Sequence, residues 1–183
     1  KVAVVTGAGA GIGRETANLL ARKGCRLAIC DIDEISLEAV RQELELSGAV
    51  VSAHHVDVSK REQMERFAAS VVETHGGVHI LINNAGVTVY ATFEEHEIED
   101  LEWILGVNLW GILYGCKFFL PHLKEAGEGH IVNLSSVFGI IAPPLQTSYV
   151  ASKFAVRGFS ESLRAELAEY HIGVTSVHPG AIK

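Results

Sequence analysis

The chain has 183 residues, enough for one domain and too few for a second full one. Hydrophobic residues make up 48% and charged residues 20%, a globular balance that argues against disorder and supports a core without disulfide or metal staples. Fifteen Lys and Arg against 22 Asp and Glu leave a net charge of −7 with no basic cluster, which disfavours a nucleic-acid partner.

No run of about 18 apolar residues is evident, so no transmembrane helix and no membrane partner are expected. The N-terminal KVAVVTGAGAGIG lacks the length and cleavage site of a signal peptide. Cys25, Cys30 and Cys116 form no C-x-x-C, and their odd count and irregular spacing fit a reducing, cytoplasmic setting. The nine histidines include no H-E-x-x-H. His54 and His55, adjacent on an expected strand, face opposite sides; no metal site is expected.

In chain order, the first element is a β-branched run, Val2–Thr6, that stops at glycines. Residues 26–31, 50–56, 79–83, 130–135 and 173–178 read the same way. Short continuous apolar runs suit parallel strands buried on both faces. Helical patterns lie between them: Leu37, Val40 and Leu44 form one stripe, and Met64, Phe67, Ala68, Val71 and Val72 a wider one. Ser59 with Glu62, and Thr92 with Glu95, read as capping boxes. Two longer helices are expected near residues 97–126 and 147–170, with Pro121 kinking or ending the first. Strands alternating with helices predict a doubly wound parallel α/β sheet, with ligands beyond the carboxyl ends of its strands. No repeat, low-complexity tract or linker interrupts residues 1–183, which read as a single domain.

The first turn, Thr6-Gly7-Ala8-Gly9-Ala10-Gly11-Ile12-Gly13, fails the strict G-x-G-x-x-G template, because Ile12 and Arg14 stand where a third glycine is needed. It fits G-x-x-x-G-x-G through Gly7, Gly11 and Gly13. Glycines there allow a tight turn and let a phosphate reach the N–H groups of a helix N-terminus. A glycine-rich βα turn without a ligand is the competing reading. Asp31 ends the second strand, 18 residues after Gly13. Its carboxylate suits an adenosine ribose 2′-hydroxyl and repels a 2′-phosphate, and Ala10 offers that phosphate no charge. Both favour NAD over NADP; Arg14 is a weak counter-signal, and an ordinary acidic turn residue is the alternative for Asp31.

Ser136 follows the fifth strand. Tyr149 and Lys153 stand four apart near a helix start and so share a face. Asn108 sits inside the preceding long helix, where Asn has poor propensity. Taken singly, a Tyr-x-x-x-Lys is usually a packed tyrosine beside a snorkelling lysine, and such a serine is usually a cap or turn residue. Asn133-Leu134-Ser135 matches a glycosylation sequon but falls in an expected buried strand.

Together these motifs resemble the short-chain dehydrogenase/reductase family. The match runs through Thr6–Gly13, Asp57-Val58, Asn83-Asn84-Ala85-Gly86, Asn108, Ser136, Tyr149-x-x-x-Lys153 and Pro179-Gly180, in family order and over almost the whole chain. The resemblance implies a Rossmann-like sheet of order 3-2-1-4-5-6 whose usual seventh strand, with the substrate loop, lies outside this chain. It implies an NAD-dependent oxidoreductase acting on an alcohol or carbonyl. Gly7, Gly11, Ile12 and Gly13 would line the pyrophosphate, Asp31 the adenosine ribose, and Asp57 with Val58 the adenine. Asn84 and Ala85 would lie beneath the nicotinamide side, and Gly86, Pro179 and Gly180 would also bind the cofactor. Tyr149 would be the general acid or base, Lys153 would hold the nicotinamide ribose and ease loss of the phenol proton, Ser136 would orient the substrate oxygen, and Asn108 would fix the long helix and a relay water.

That chemistry is sensible on its own terms. A free phenol, with a pKa of about 10, is a poor base at neutral pH. One ammonium at about 4 Å and an effective dielectric of about 20 interacts by roughly 4 kcal/mol, enough to bring a phenol near working pH, while burial pushes the other way. Val87, Val137, Phe138, Ile140 and Ile141, with Gln146 and the Pro143-Pro144 turn, fall near the expected pocket and suit a hydrophobic substrate, or are ordinary core. His178 reads as a packed residue. Trp103, Val107, Trp110 and Tyr114 recur at helical spacing and read as core, while the resemblance implies subunit pairing through the two long helices as a homodimer or homotetramer. A dinucleotide sensor without turnover is the alternative function. A sugar-nucleotide epimerase shares the Tyr-x-x-x-Lys chemistry but lacks its usual glycine turn here.

Overall fold

The computed structural model describes residues 1–180. Six strands form one parallel sheet in the order β3-β2-β1-β4-β5-β6. They are β1 (Val2–Thr6), β2 (Arg26–Asp31), β3 (Val51–His55), β4 (Ile80–Asn83), β5 (Gly129–Leu134) and β6 (Ile172–Val177). The helices are α1 (Gly11–Arg22), α2 (Glu34–Leu46), α3 (Arg61–His75), α4 (Ile98–Leu105), α5 (Gly111–Glu125) and α6 (Thr147–Leu167).

Strand alternation sends successive side chains into two separate cores. Ala3, Val5, Leu27 and Ile29 pack with Ala17 of α1 and Leu37, Val40 and Leu44 of α2. Val4, Ala28 and Cys30 face the other way, onto Met64 and Phe67 of α3, Phe119 of α5 and Val156 of α6. Helix layers on both faces explain why the strands read as continuous apolar runs. The chain order reverses between β1 and β4, which opens a crevice beyond their carboxyl ends.

Several local expectations change. Ser59 does not cap α3: its N–H and hydroxyl both bond Asp57 Oδ1, and Lys60 takes the cap position without a side-chain bond. Thr92 and Glu95 do pair, at 2.7 and 3.0 Å, but they close an isolated turn, and α4 begins only at Ile98. The helix runs through Pro121 to Glu125. Its irregularity lies earlier, in a π-helical turn at Gly106–Trp110 joining α4 to α5. Contrary to the hydropathy expectation, Ile98–Glu125 is long and apolar enough to span a bilayer. Ile104, Ile112, Phe119 and Leu123 are nonetheless buried against the protein, as in a core helix. Trp103 and Trp110 are not core: they are 48% and 50% exposed, whereas Val107 between them is buried.

Candidate active site

The glycine turn is built by close backbone approach. Gly7 and Gly11 take positive φ, 63° and 52°, which glycine adopts without penalty. A Cβ on Gly13 would overlap the Gly7 carbonyl, so α1 meets the turn this closely only with glycine there. No atom would stand within 4 Å of a Cβ on Gly11, so that position opens outward. Ala10 provides no capping side chain for α1, and no acidic residue occupies its first turn. The free N–H groups and positive dipole end therefore face an opening suited to a pyrophosphate.

Asn84 joins this turn to the end of β4. Its side-chain amide donates to the carbonyls of Thr6 and Gly7, both at 2.9 Å. The Thr6 hydroxyl oxygen accepts from the N–H groups of Asn84 and Ala85 at 3.0 and 3.1 Å. Motif reading did not single out Thr6 as a site residue, because its partners lie 78 and 79 positions away.

A groove of about 480 Å³ runs along this edge, lined by Gly7, Ala10, Gly11, Ile12, Asp31, Asp57, Val58, Asn84, Ala85 and Gly86. Ile32, Val56, Val87, Trp103 and Val107 complete it and were not expected there. Asp31 is set in place by the Gly9 N–H at 2.8 Å and the Asp33 N–H at 3.0 Å. The Arg14 guanidinium is committed to Glu43 of α2 at 2.8 Å and does not line the groove.

Ile12, Asn84, Gly86 and Val87 also line a second cleft, of about 300 Å³. It gathers Ser136, Tyr149, Lys153, Pro179 and Gly180, with Thr88, Leu134 and Ser135 as additions. The Lys153 side chain is almost wholly buried, and its ammonium donates to the Leu134 carbonyl at 2.8 Å. It lies 5.4 Å from the centre of the Tyr149 ring. Burial pushes its pKa down to about 8, since a charged amine loses hydration there. Ser136 Oγ accepts from the Phe138 N–H at 3.1 Å, which leaves the hydroxyl proton free to donate. Of the apolar residues expected at the pocket, Val87 lines this cleft; Ile140 and Ile141 are half-exposed at the surface.

Asn108 is not in the cleft. It sits in the π-helical turn, fully buried, and clamps the irregular segment after β4. Its Oδ1 accepts from the Val87 N–H at 2.8 Å, and its amide donates to the Val87 carbonyl at 2.9 Å and to Ser152 Oγ at 3.1 Å. A π-turn often marks such a site. Among the described residues, no group of three or more His, Cys, Asp or Glu could hold a metal ion.

A crevice at the switch point of this sheet, with a polar cleft beside it, defines a Rossmann-like nucleotide-binding α/β protein. The chain belongs to the short chain dehydrogenase family, whose family model matches residues 1–183. SadH of Mycobacterium tuberculosis, an oxidoreductase by name, is 46% identical over 185 residues, covering 100% of this chain and 67% of its own length. A short-chain dehydrogenase/reductase from Burkholderia phymatum, solved in complex with NAD, superimposes with a TM-score of 0.97 at 37% identity, over 100% of this chain and 66% of that one. An alcohol dehydrogenase from Thermococcus sibiricus, complexed with 5-hydroxy-NADP, gives 0.93 at 35% identity, over 100% and 77%. The chain thus spans about two thirds of the length of SadH and of the Burkholderia protein.

Proposed function

We propose that this chain is the dinucleotide-binding and catalytic domain of an NAD-dependent oxidoreductase that interconverts a hydrophobic secondary alcohol and its ketone. The observation that carries this reading is the shared wall of the two cavities: Ile12, Asn84, Gly86 and Val87 border both the groove reaching Asp31 and the cleft holding Ser136, Tyr149 and Lys153. A dinucleotide lying in the groove brings one end beside a phenol and a hydroxyl. NAD, when bound, supplies the acceptor for the hydrogen leaving the carbinol carbon.

The protein's own part is positioning and proton transfer. The Ser136 hydroxyl donates to the substrate oxygen and fixes its direction. The Tyr149 oxygen takes the alcohol proton, or returns it in reduction. The Lys153 ammonium, close beneath the ring, favours negative charge developing on that oxygen. Asn108 holds the Val87 backbone, and with it the wall common to both cavities. Val87 and Leu134 give the cleft apolar surface for a hydrophobic substrate. Replacing Tyr149 with Phe removes the proton-transfer group and keeps the ring. Turnover should fall about 10²-fold or more while NADH still binds. Undiminished turnover would exclude the mechanism. Tight cofactor binding with no reaction across a broad alcohol and carbonyl panel would instead favour a dinucleotide sensor.

NAD is the preferred cofactor in this reading. Asp31 stands in the groove with its carboxylate fixed, Ala10 brings no charge, and Arg14 is held by Glu43. Titration with NADH and NADPH, read by calorimetry, should show NADH binding more tightly. Asp31→Ser combined with Ile32→Arg should shift the preference toward NADPH, since it removes a carboxylate and adds a cation at an exposed groove position. An unchanged ratio would mean that Asp31 does not meet the ribose. A homodimer or homotetramer pairing through α5 and α6 completes the reading; the half-exposed Trp110 at the end of the π-turn, and the ring series running from it to Tyr114 and Phe118 of α5, support it.

A further inference from the structure

We propose that His178, outside the cleft, is a positioning residue for Ser136; this rests on the reading above, in which Ser136 orients the substrate oxygen. His178 Nδ1 lies 2.9 Å from the Ser136 carbonyl oxygen. A carbonyl can only accept, so Nδ1 carries the proton. In the neutral ring Nε2 is then an acceptor, and the Ser176 hydroxyl, 3.1 Å away, donates to it. The imidazole is thereby fixed at both nitrogens.

The consequence falls on one peptide plane. The Val137 N–H donates to the Pro179 carbonyl at 2.9 Å. That N–H and the Ser136 carbonyl belong to the same planar unit, so consecutive residues, His178 and Pro179, hold its two ends. Two residues back along the chain, the Ser135 N–H donates to the Val177 carbonyl at 2.8 Å in the same register. Ser136 is flanked by these two backbone bonds, and the donor to its own carbonyl is the His178 side chain. The orientation of this plane sets ψ of Ser136, 163°, and places the Phe138 N–H that bonds Ser136 Oγ. With the imidazole removed, the plane is held by the Pro179 carbonyl alone, and the serine hydroxyl loses its fixed direction.

Oxidation of a panel of aliphatic, alicyclic and aryl secondary alcohols with NAD tests this, beside NADH titration of the same proteins. His178→Ala should lower kcat about 10–100-fold, as a misplaced orienting group does, with NADH affinity within about threefold of wild type. His178→Asn, whose amide nitrogen takes the place of Nδ1, should recover most of the loss; His178→Gln, whose donor lies one carbon further out, should not. In a Ser136→Ala background, His178→Ala should cost nothing more. If His178→Ala does not fold, the Asn and Gln pair decides by the same criterion. Imidazole ¹⁵N shifts should show the Nδ1–H form in the wild type, and an Nε2–H form would overturn the proposal. A harmless Ser136→Ala, or a wild type inert to the whole panel, removes the oxidoreductase reading and this proposal with it. An impaired Ser136→Ala beside a normal His178→Ala, or equal losses in the Asn and Gln variants, overturns the positioning role alone.

Discussion

Lys153 carries a cost that its neighbourhood does not repay in the ligand-free protein. Among the described residues its ammonium has one carbonyl partner, Leu134, and no carboxylate, and burial brings its pKa from 10.5 to about 8. A lysine whose folded pKa lies below its unfolded value destabilises the fold whenever it must be charged. The penalty is full below pH 8, shrinks as pH rises toward 10.5, and is gone above that. At ~1.4 kcal/mol per tenfold change in proton affinity it amounts to about 3 kcal/mol. Lys153→Met gives this back and loses one hydrogen bond, so the ligand-free variant should be about 1–2 kcal/mol more stable at pH 7. Its advantage should fade by pH 10, and its turnover should collapse. Urea unfolding at the two pH values checks the sign; a variant less stable at pH 7 would mean that the lysine is better accommodated than its surroundings indicate. The pairing of Lys153 with Tyr149 was legible in the sequence, because four residues make one helical turn. The Leu134 carbonyl beneath it was not, since a contact across 19 positions leaves no local pattern.

At the scale of elements, two glycines in neighbouring helices differ in what surrounds them. A Cβ on Gly115 of α5 would overlap Asn83 Oδ1. Asn83 cannot easily retreat: its amide donates to Asn133 at 2.9 Å, and Asn133 in turn donates to Ser160 at 3.0 Å, a buried polar chain from β4 through β5 to α6. Gly115→Ala should therefore cost about 1–3 kcal/mol by overpacking. A Cβ on Gly158 of α6 would meet no atom within 4 Å, so Gly158→Ala should stabilise by about 0.5–1 kcal/mol through helix propensity and reduced unfolded-state entropy. Denaturant midpoints of the two variants should move in opposite directions. Elements with a strong apolar period were readable within a residue or two, from β1 to α6. The Ser59 cap was not, because the Asp57 carboxylate competes for the same N–H and hydroxyl. The π-turn was equally hidden: the chain gains an extra residue there to bring Asn108 against Val87, a demand set by another segment.

For the whole molecule, Ile98–Glu125 shows why hydropathy and burial must be read together. By composition it could cross a bilayer, yet its apolar residues include both the buried core and a half-exposed aromatic edge around Trp110. If that edge pairs two subunits, Trp110→Glu should place a charge in the contact and shift the sedimentation of a dimer or tetramer toward the monomer. NADH affinity should be retained, because Trp110 does not line the groove. A protein already monomeric, or an unaffected oligomer, would move the contact elsewhere.

The sequence by itself determined the doubly wound architecture and the glycine turn, and its motifs named about two thirds of the residues around the two cavities, several of them through the family resemblance. Those properties are written in local periodicity and in short motifs whose spacing matches one turn or one strand. Only the tertiary structure decided how the motifs meet. It set Asn84 across the glycine turn, Asn108 behind Val87 and Arg14 against Glu43. It also turned His178 from a packed residue into one bonded through both ring nitrogens. Hydrogen bonds between residues tens of positions apart are chosen by the packing of whole elements, and no period along the chain records that choice.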